Sequence, residues 1–235
     1  MKKSILFLAM LLCSIAASAT THNVSSSLSW WVAGTDSPVQ AGDTLLVADG
    51  EYELTSILNF AKEGLVVIAS EGAKPVIKTK GQWMVMNIQA TTTFEGITFD
   101  SESNSESSED NDMYAFKLSA NAEFKNCTFQ DYADACIQVD ENVVVNKLVI
   151  EDCVFDGANT TPVAIYACGI IEDCAIEGTE FKNYTEYCIY ANDYYGARYD
   201  NLTINNCLFH DCVYSAVYVI FPVTVVTSLS HPANV

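Results

Sequence analysis

The stretch Ile150-Glu151-Asp152-Cys153-Val154-Phe155 decides the fold, because its pattern returns along the chain. Phe94-Glu95-Gly96-Ile97-Thr98-Phe99 and Phe124-Lys125-Asn126-Cys127-Thr128-Phe129 precede it, and Ile176-Glu177-Gly178-Thr179-Glu180-Phe181 and Ile204-Asn205-Asn206-Cys207-Leu208-Phe209 follow. The closing Phe recurs after 30, 26, 26 and 28 residues, a spacing that marks a solenoid repeat. Each copy alternates apolar and polar residues and shifts phase at Gly, Asn or Asp. Leu148 and Ile150 share one side and Val149 and Glu151 the other; beyond Asp152, Cys153 and Phe155 return to the first. That is a short strand, a bend at a turn-forming residue, and a second strand.

About eight residues past each Phe comes a further strand-like block: Cys136-Ile137-Gln138-Val139, Ala164-Ile165-Tyr166-Ala167, Cys188-Ile189-Tyr190-Ala191 and Ala216-Val217-Tyr218-Val219. Nothing between the blocks has the apolar period or the length of a helix. A β-only unit of this size closes no core alone, but stacked units do, rising about 4.8 Å per coil. Phe99, Phe129, Phe155, Phe181 and Phe209 then form an interior aromatic ladder. Ile97, Cys127, Cys153, Thr179 and Cys207 form a second interior column of small and medium side chains. Most cysteines are thus expected as buried thiols acting as small hydrophobes, with Cys168 and Cys174 the pair best spaced for any disulfide.

The chain has 235 residues, half of them hydrophobic, with 30 acidic and 11 basic side chains and a net charge of −19. Such a surface repels phosphate backbones and anionic lipids, so nucleic acid is not an expected partner. Residues 1–19 read as a signal peptide: Lys2 and Lys3 as basic region, Ile5 to Ile15 as apolar core, Ala17-Ser18-Ala19 as cleavage site. Leu12 is too bulky before Cys13 for a lipidation signal. No later apolar run is long enough for a membrane-spanning helix. The expected location is secreted, periplasmic or cell-surface. Residues 20–41 read as a lead-in and cap and 42–235 as the solenoid. Its C-terminal end shows no evident polar cap, which points to further coils or an oligomer contact there.

Gly42-Asp43-Thr44-Leu45-Leu46-Val47-Ala48-Asp49-Gly50-Glu51-Tyr52 resembles the opening of many proteins of the pectate-lyase superfamily, and Lys74-Pro75-Val76-Ile77 resembles a first coil after it. The resemblance covers roughly Gly42 to Val219 and is closest to secreted bacterial β-helix domains of unknown function. It implies an all-β, right-handed parallel β-helix with coils of about 26 residues. It implies little about activity, since this scaffold serves lyases, hydrolases, adhesins and inert spikes alike. The arginine-proline-arginine stretch of pectate lyases and the aspartate and histidine motifs of polygalacturonases are absent; Arg198 is the chain's one arginine.

The candidate site is aromatic. If Ile137, Ile165, Ile189 and Val217 point inward, then Gln138, Tyr166, Tyr190 and Tyr218 point outward on successive coils. Aromatic faces stack on the C–H faces of sugar rings, so such a stripe suits an extended poly- or oligosaccharide. The loop Asn192 to Asp200 adds Asp193, Tyr195, Tyr199 and the guanidinium of Arg198, a fork for carboxylates or hydroxyls. The competing reading has the tyrosines covering sheet edges and Arg198 paired with Asp193 or Asp200. Ser101 to Asp112 is acidic enough to gather Ca²⁺ ligands, but its spacing fits no defined loop, and no metal or cofactor is expected. In His210-Asp211-Cys212, alternation puts His210 outward and Asp211 at a turn position, so that triplet is not read as catalytic. A non-catalytic carbohydrate-binding or surface module ranks first. A polysaccharide lyase or glycoside hydrolase acting on a plant or host glycan ranks second, and a structural spacer third. No catalytic residue is assigned.

Overall fold

The computed structural model describes residues 19–34, 36–54, 56–79, 86–101, 114–191, 196–219 and 224–228, the last by their backbone alone. All but Ala19 of the expected signal peptide (1–19) and all but Ser101 of the acidic stretch (101–112) lie outside these. Among the described residues the strands form three parallel sheets, and each coil visits them in the same order.

The first sheet holds β1 (Thr21–Val24), β2 (Thr44–Val47), β5 (Leu65–Ala69), β8 (Thr92–Glu95), β11 (Ala122–Lys125), β14 (Val144–Glu151), β17 (Ile170–Glu177), β20 (Arg198–Asn205) and β23 (Thr224–Ser228). The second holds β3 (Glu51–Glu53), β6 (Val76–Lys78), β9 (Thr98–Asp100), β12 (Thr128–Gln130), β15 (Val154–Asp156), β18 (Glu180–Lys182) and β21 (Leu208–His210). The third holds β4 (Leu58–Phe60), β7 (Met86–Ile88), β10 (Tyr114–Leu118), β13 (Ala135–Val139), β16 (Val163–Ala167), β19 (Tyr187–Ala191) and β22 (Ser215–Tyr218). The chain is a right-handed parallel β-helix of about seven coils, as its repeat implies. Ahead of it a short helix, α1 (Leu28–Ala33), buries Leu28 and Val32 against the first coil.

The turn from the first sheet to the second is built around one left-handed residue. Gly96, Asn126, Asp152, Gly178 and Asn206 hold it with φ of 70°, 50°, 50°, 61° and 52°. Glycine, asparagine and aspartate tolerate that backbone where branched residues do not, which explains the composition of the position. The residue after it turns inward, and Ile97, Cys127, Cys153, Thr179 and Cys207 are all buried.

Two residues further on, the phenylalanines stack in register across β9, β12, β15, β18 and β21. Successive ring centroids lie 5.2, 4.3, 4.9 and 4.9 Å apart. Phe99 to Phe181 are fully buried, while Phe209, at the end of the ladder, is only partly so.

All eight cysteines among the described residues are free thiols, seven of them buried. Burial pushes Cys136 up to about 12, a thiol that stays protonated and packs as a hydrophobe. Cys168 and Cys174, expected as the best-spaced pair, are not joined. The sulfurs that meet are Cys188 and Cys212, 2.8 Å apart near the last coil. The hydrogen bond from Cys188 holds Cys212 down to about 7, and the same contact raises Cys188.

Candidate functional site

The third sheet carries a step in side-chain phase that places the site. In β10, β13, β16 and β19 two consecutive residues face the core: Ala115-Phe116, Cys136-Ile137, Ala164-Ile165 and Cys188-Ile189. Alanine and cysteine fit the first of these positions because two neighbours share one interior corner. The residues on either side are turned outward. One outward column runs Tyr114, Ala135, Val163, Tyr187, Ser215, and the other Lys117, Gln138, Tyr166, Tyr190, Tyr218.

Tyr166, Tyr190 and Tyr218 therefore stand on adjacent coils of one face, as the alternation implies. Their ring centroids are 5.3 and 5.5 Å apart. Tyr187 joins them, 5.0 Å from Tyr190 with planes 14° apart and 5.3 Å from Tyr218, and Tyr214 closes the group 5.8 Å from Tyr187. Sequence reasoning missed Tyr187, since strict alternation from Ile189 turns it inward. The small residue at position 188 is the signal that was available.

The patch rests on Tyr114, Ala135 and Val163, which are buried although they lie on the outward side. Tyr166, Tyr187 and Tyr190 are partly covered, whereas Tyr214 and Tyr218 are 67% and 43% exposed. The parallel rings at these separations are offset-stacked on one another. Mutual stacking thus uses much of the ring faces that an incoming sugar needs, and the best-exposed faces are those of Tyr214 and Tyr218. Next along the column, the Lys117 ammonium sits 5.3 Å over the Tyr114 ring and 3.5 Å from Asp140, so its charge is already compensated.

The loop residues expected beside the patch divide. Asp193 and Tyr195 lie outside the described residues. Tyr199, expected on the surface, is fully buried in β20, where it pairs with Ile171. The strand explains this correction. Asp200 and Asn201 both turn outward between Tyr199 and Leu202, so Tyr199 falls in phase with the core. Its hydroxyl is enclosed without a hydrogen-bond partner among the described residues. Arg198 opens the same first-sheet strand and its Nε donates to Asp200 Oδ1 at 2.6 Å, one of the two pairings anticipated.

On the second sheet, His210 lies outward between two carboxylates, with Nδ1 2.7 Å from Asp211 and Nε2 3.0 Å from Glu180 one coil earlier. Hydrogen bonds to the accepting carboxylates of Glu180 and Asp211 raise the imidazole pKa, and the bond with His210 lowers that of Glu180. Lys182 lies 3.4 Å from Glu180 and 3.8 Å from Asp156. This is a cross-coil clip in which both imidazole nitrogens are already engaged by carboxylates, an arrangement poorly suited to abstracting a proton. No group of three His, Cys, Asp or Glu side chains with metal-site geometry occurs among the described residues, and no described helix is long and apolar enough to cross a membrane.

Among solved structures, the chain is similar to the PL6 family alginate lyase AlyGC and to a point mutant of it. The mutant aligns with a TM-score of 0.56 at 15% identity, covering 91% of this chain and 40% of that one. The unmutated enzyme aligns at 0.51 and 14%, covering 91% and 39%. The chain thus spans about two fifths of the length of these lyases, and at such identity the likeness is one of fold. Comparison with curated proteins finds no match. Residues 50–169, just over half of the chain, match the family model described as Domain of unknown function (DUF4957), and the chain belongs to that family.

Proposed function

We propose that this protein is an exported β-helix module that holds a neutral or weakly acidic poly- or oligosaccharide on its third sheet without cleaving it. The observation that carries this reading is the patch of Tyr166, Tyr187, Tyr190, Tyr214 and Tyr218, five rings in mutual contact on one face of the last coils. Amphipathic rings of this kind offer hydroxyls for hydrogen bonds and apolar surface for sugar C–H groups. The charge balance favours a ligand with little negative charge, since 30 acidic side chains face 11 basic ones. The β-helical alginate lyases lend the reading a precedent for a polysaccharide on this scaffold.

The test is calorimetric titration against a panel of neutral and acidic glycans. Tyr218→Ala is expected to weaken binding by about 1–2 kcal/mol, roughly five- to thirtyfold in Kd, with the melting temperature little changed. No binding across the panel would overturn the proposal. Release of unsaturated or reducing ends from a polysaccharide would replace it with the lyase or hydrolase reading.

A further inference from the structure

Asp43 is a buried carboxylate, 3% exposed, in the turn before β2. Three nitrogens converge on it. Thr20 donates its backbone N–H to Oδ1 at 2.7 Å, Gln40 donates its own to Oδ2 at 2.8 Å, and His22 Nε2 lies 2.9 Å from Oδ2. Burial pushes the Asp43 pKa up, but the Gln40, Thr20 and His22 donors outweigh it and the carboxyl lies below its usual range. His22 is the side chain that meets Asp43 among the described residues. Thr20 is held from its other side as well, because its carbonyl accepts the N–H of Thr44 at 2.9 Å. Thr20 and Ala19 are nonetheless exposed, so the bond between them lies open while the nitrogen at one end of it is fixed on Asp43.

That nitrogen follows Ala17-Ser18-Ala19, the small-residue stretch at the end of the apolar leader. We propose that the Ala19–Thr20 bond is a processing site and that Asp43 is the built-in receptor for the α-ammonium group the cut creates. A leader peptidase would add water across the amide. The hydroxyl goes to the Ala19 carbonyl carbon and the hydrogen to the Thr20 nitrogen. The proton of the new carboxyl then passes through solvent to the amine, leaving a carboxylate on the departing leader and an ammonium on Thr20. Before the cut Asp43 receives a neutral N–H at this point; afterwards it receives a cation at the same distance. Charge-assisted hydrogen bonds are about twice as strong as neutral ones, and a buried carboxylate gains most from them. Processing would therefore tighten β1 onto β2 and complete the first edge of the solenoid.

The pH dependence follows in sign. An amine beside a carboxylate has its folded pKa raised above its unfolded value of about 7.7–8.0, so its contribution is full below that value. It is lost as pH rises through the folded pKa, and lost again as pH falls through the lowered pKa of Asp43. The strands β2 and β5 and the helix α1 carry no ionisable side chain. The other titratable groups on the elements around Asp43 are His22 in β1 and, before β5, Lys62 and Glu63, the last engaged by the Thr91 N–H at 3.1 Å.

The experiment begins with the full-length gene expressed in an exporting host. Intact mass and N-terminal sequencing are expected to give Thr20 as the first residue. Thermal melting is then compared between the chain starting at Thr20 and one extended by Ser18-Ala19, which keeps the Thr20 N–H but moves the charge away. The Thr20 form is expected to melt several degrees higher near pH 6.5. The gap should close as pH rises past the amine's titration, and it should be absent in Asp43→Asn. A different first residue, or two forms that melt together at every pH, would overturn the proposal; if Asp43→Asn fails to fold, the two wild-type forms still decide.

Discussion

Tyr190 and Tyr199 sit nine positions apart and are used in opposite ways. Tyr190 joins a ring cluster at the surface, while Tyr199 is sealed in the core with a hydroxyl that meets no partner among the described residues. A buried hydroxyl without a partner forfeits its bonds to water and receives nothing in exchange. Tyr199→Phe is therefore expected to be neutral or stabilising, by up to about 1–2 kcal/mol in denaturant unfolding, with glycan binding unaffected. A loss of stability would show that the hydroxyl is hydrogen-bonded. The two residues also mark the limits of what could be read from the chain. The alternation around Ile189 correctly turned Tyr190 outward, but nothing local signals that Asp200 and Asn201 would both turn outward and carry Tyr199 inside. That step depends on coil-to-coil pairing with β17, where Ile171 and Asp173 are likewise aligned with Tyr199 and Asn201.

At the scale of the strand, the second sheet was the most legible part of the fold and the third the least. Strands of three residues such as β15 and β18 have one inward side chain each, so a recurring Phe identifies register and face together. The third-sheet strands instead put two neighbours inside, and period-two reasoning then succeeds on one side of the step and fails on the other, as at Tyr187. The Phe ladder makes a direct prediction. Phe155 lies between Phe129 and Phe181 at 4.3 and 4.9 Å, so truncation removes contacts to both neighbouring coils. Phe155→Ala is expected to cost about 3–5 kcal/mol, measured by chemical denaturation. A cost below about 1 kcal/mol would mean that the ladder is packed loosely enough to collapse.

Viewed as a whole, the molecule is a stack in which each coil depends on its neighbours, so its ends are its weakest parts. The His210–Glu180 clip ties the last second-sheet strand to the one before. The raised imidazole pKa stabilises below the unfolded value of about 6.5 and is lost as pH rises through the folded pKa; the lowered Glu180 pKa stabilises above about 4.3 and is lost as pH falls through its folded value. Asp211, Lys182 and Asp156 share that cluster. The stability difference between wild type and His210→Gln should thus be larger at pH 5.5 than at pH 8.5 in thermal melts. Both residues are partly exposed, so added salt should shrink it. An equal difference at both pH values would show that the clip is packing alone.

The link between the first and second sheets is two residues long in five successive coils, from Gly96-Ile97 to Asn206-Cys207, whereas the second-to-third link ranges from the 13 residues after Asp100 to the four after Gln130. A gene for such a protein can gain or lose codons freely at one corner and hardly at all at another. Duplication of a unit of about 26 codons adds a whole coil without disturbing those already stacked. Within those five coils, a short in-frame insertion is expected to be tolerated best where it enlarges a loop beside the third sheet. Relatives of this chain are therefore expected to differ chiefly in length and in the rim around the tyrosine face, with the Phe-bearing side copied from coil to coil almost as a template.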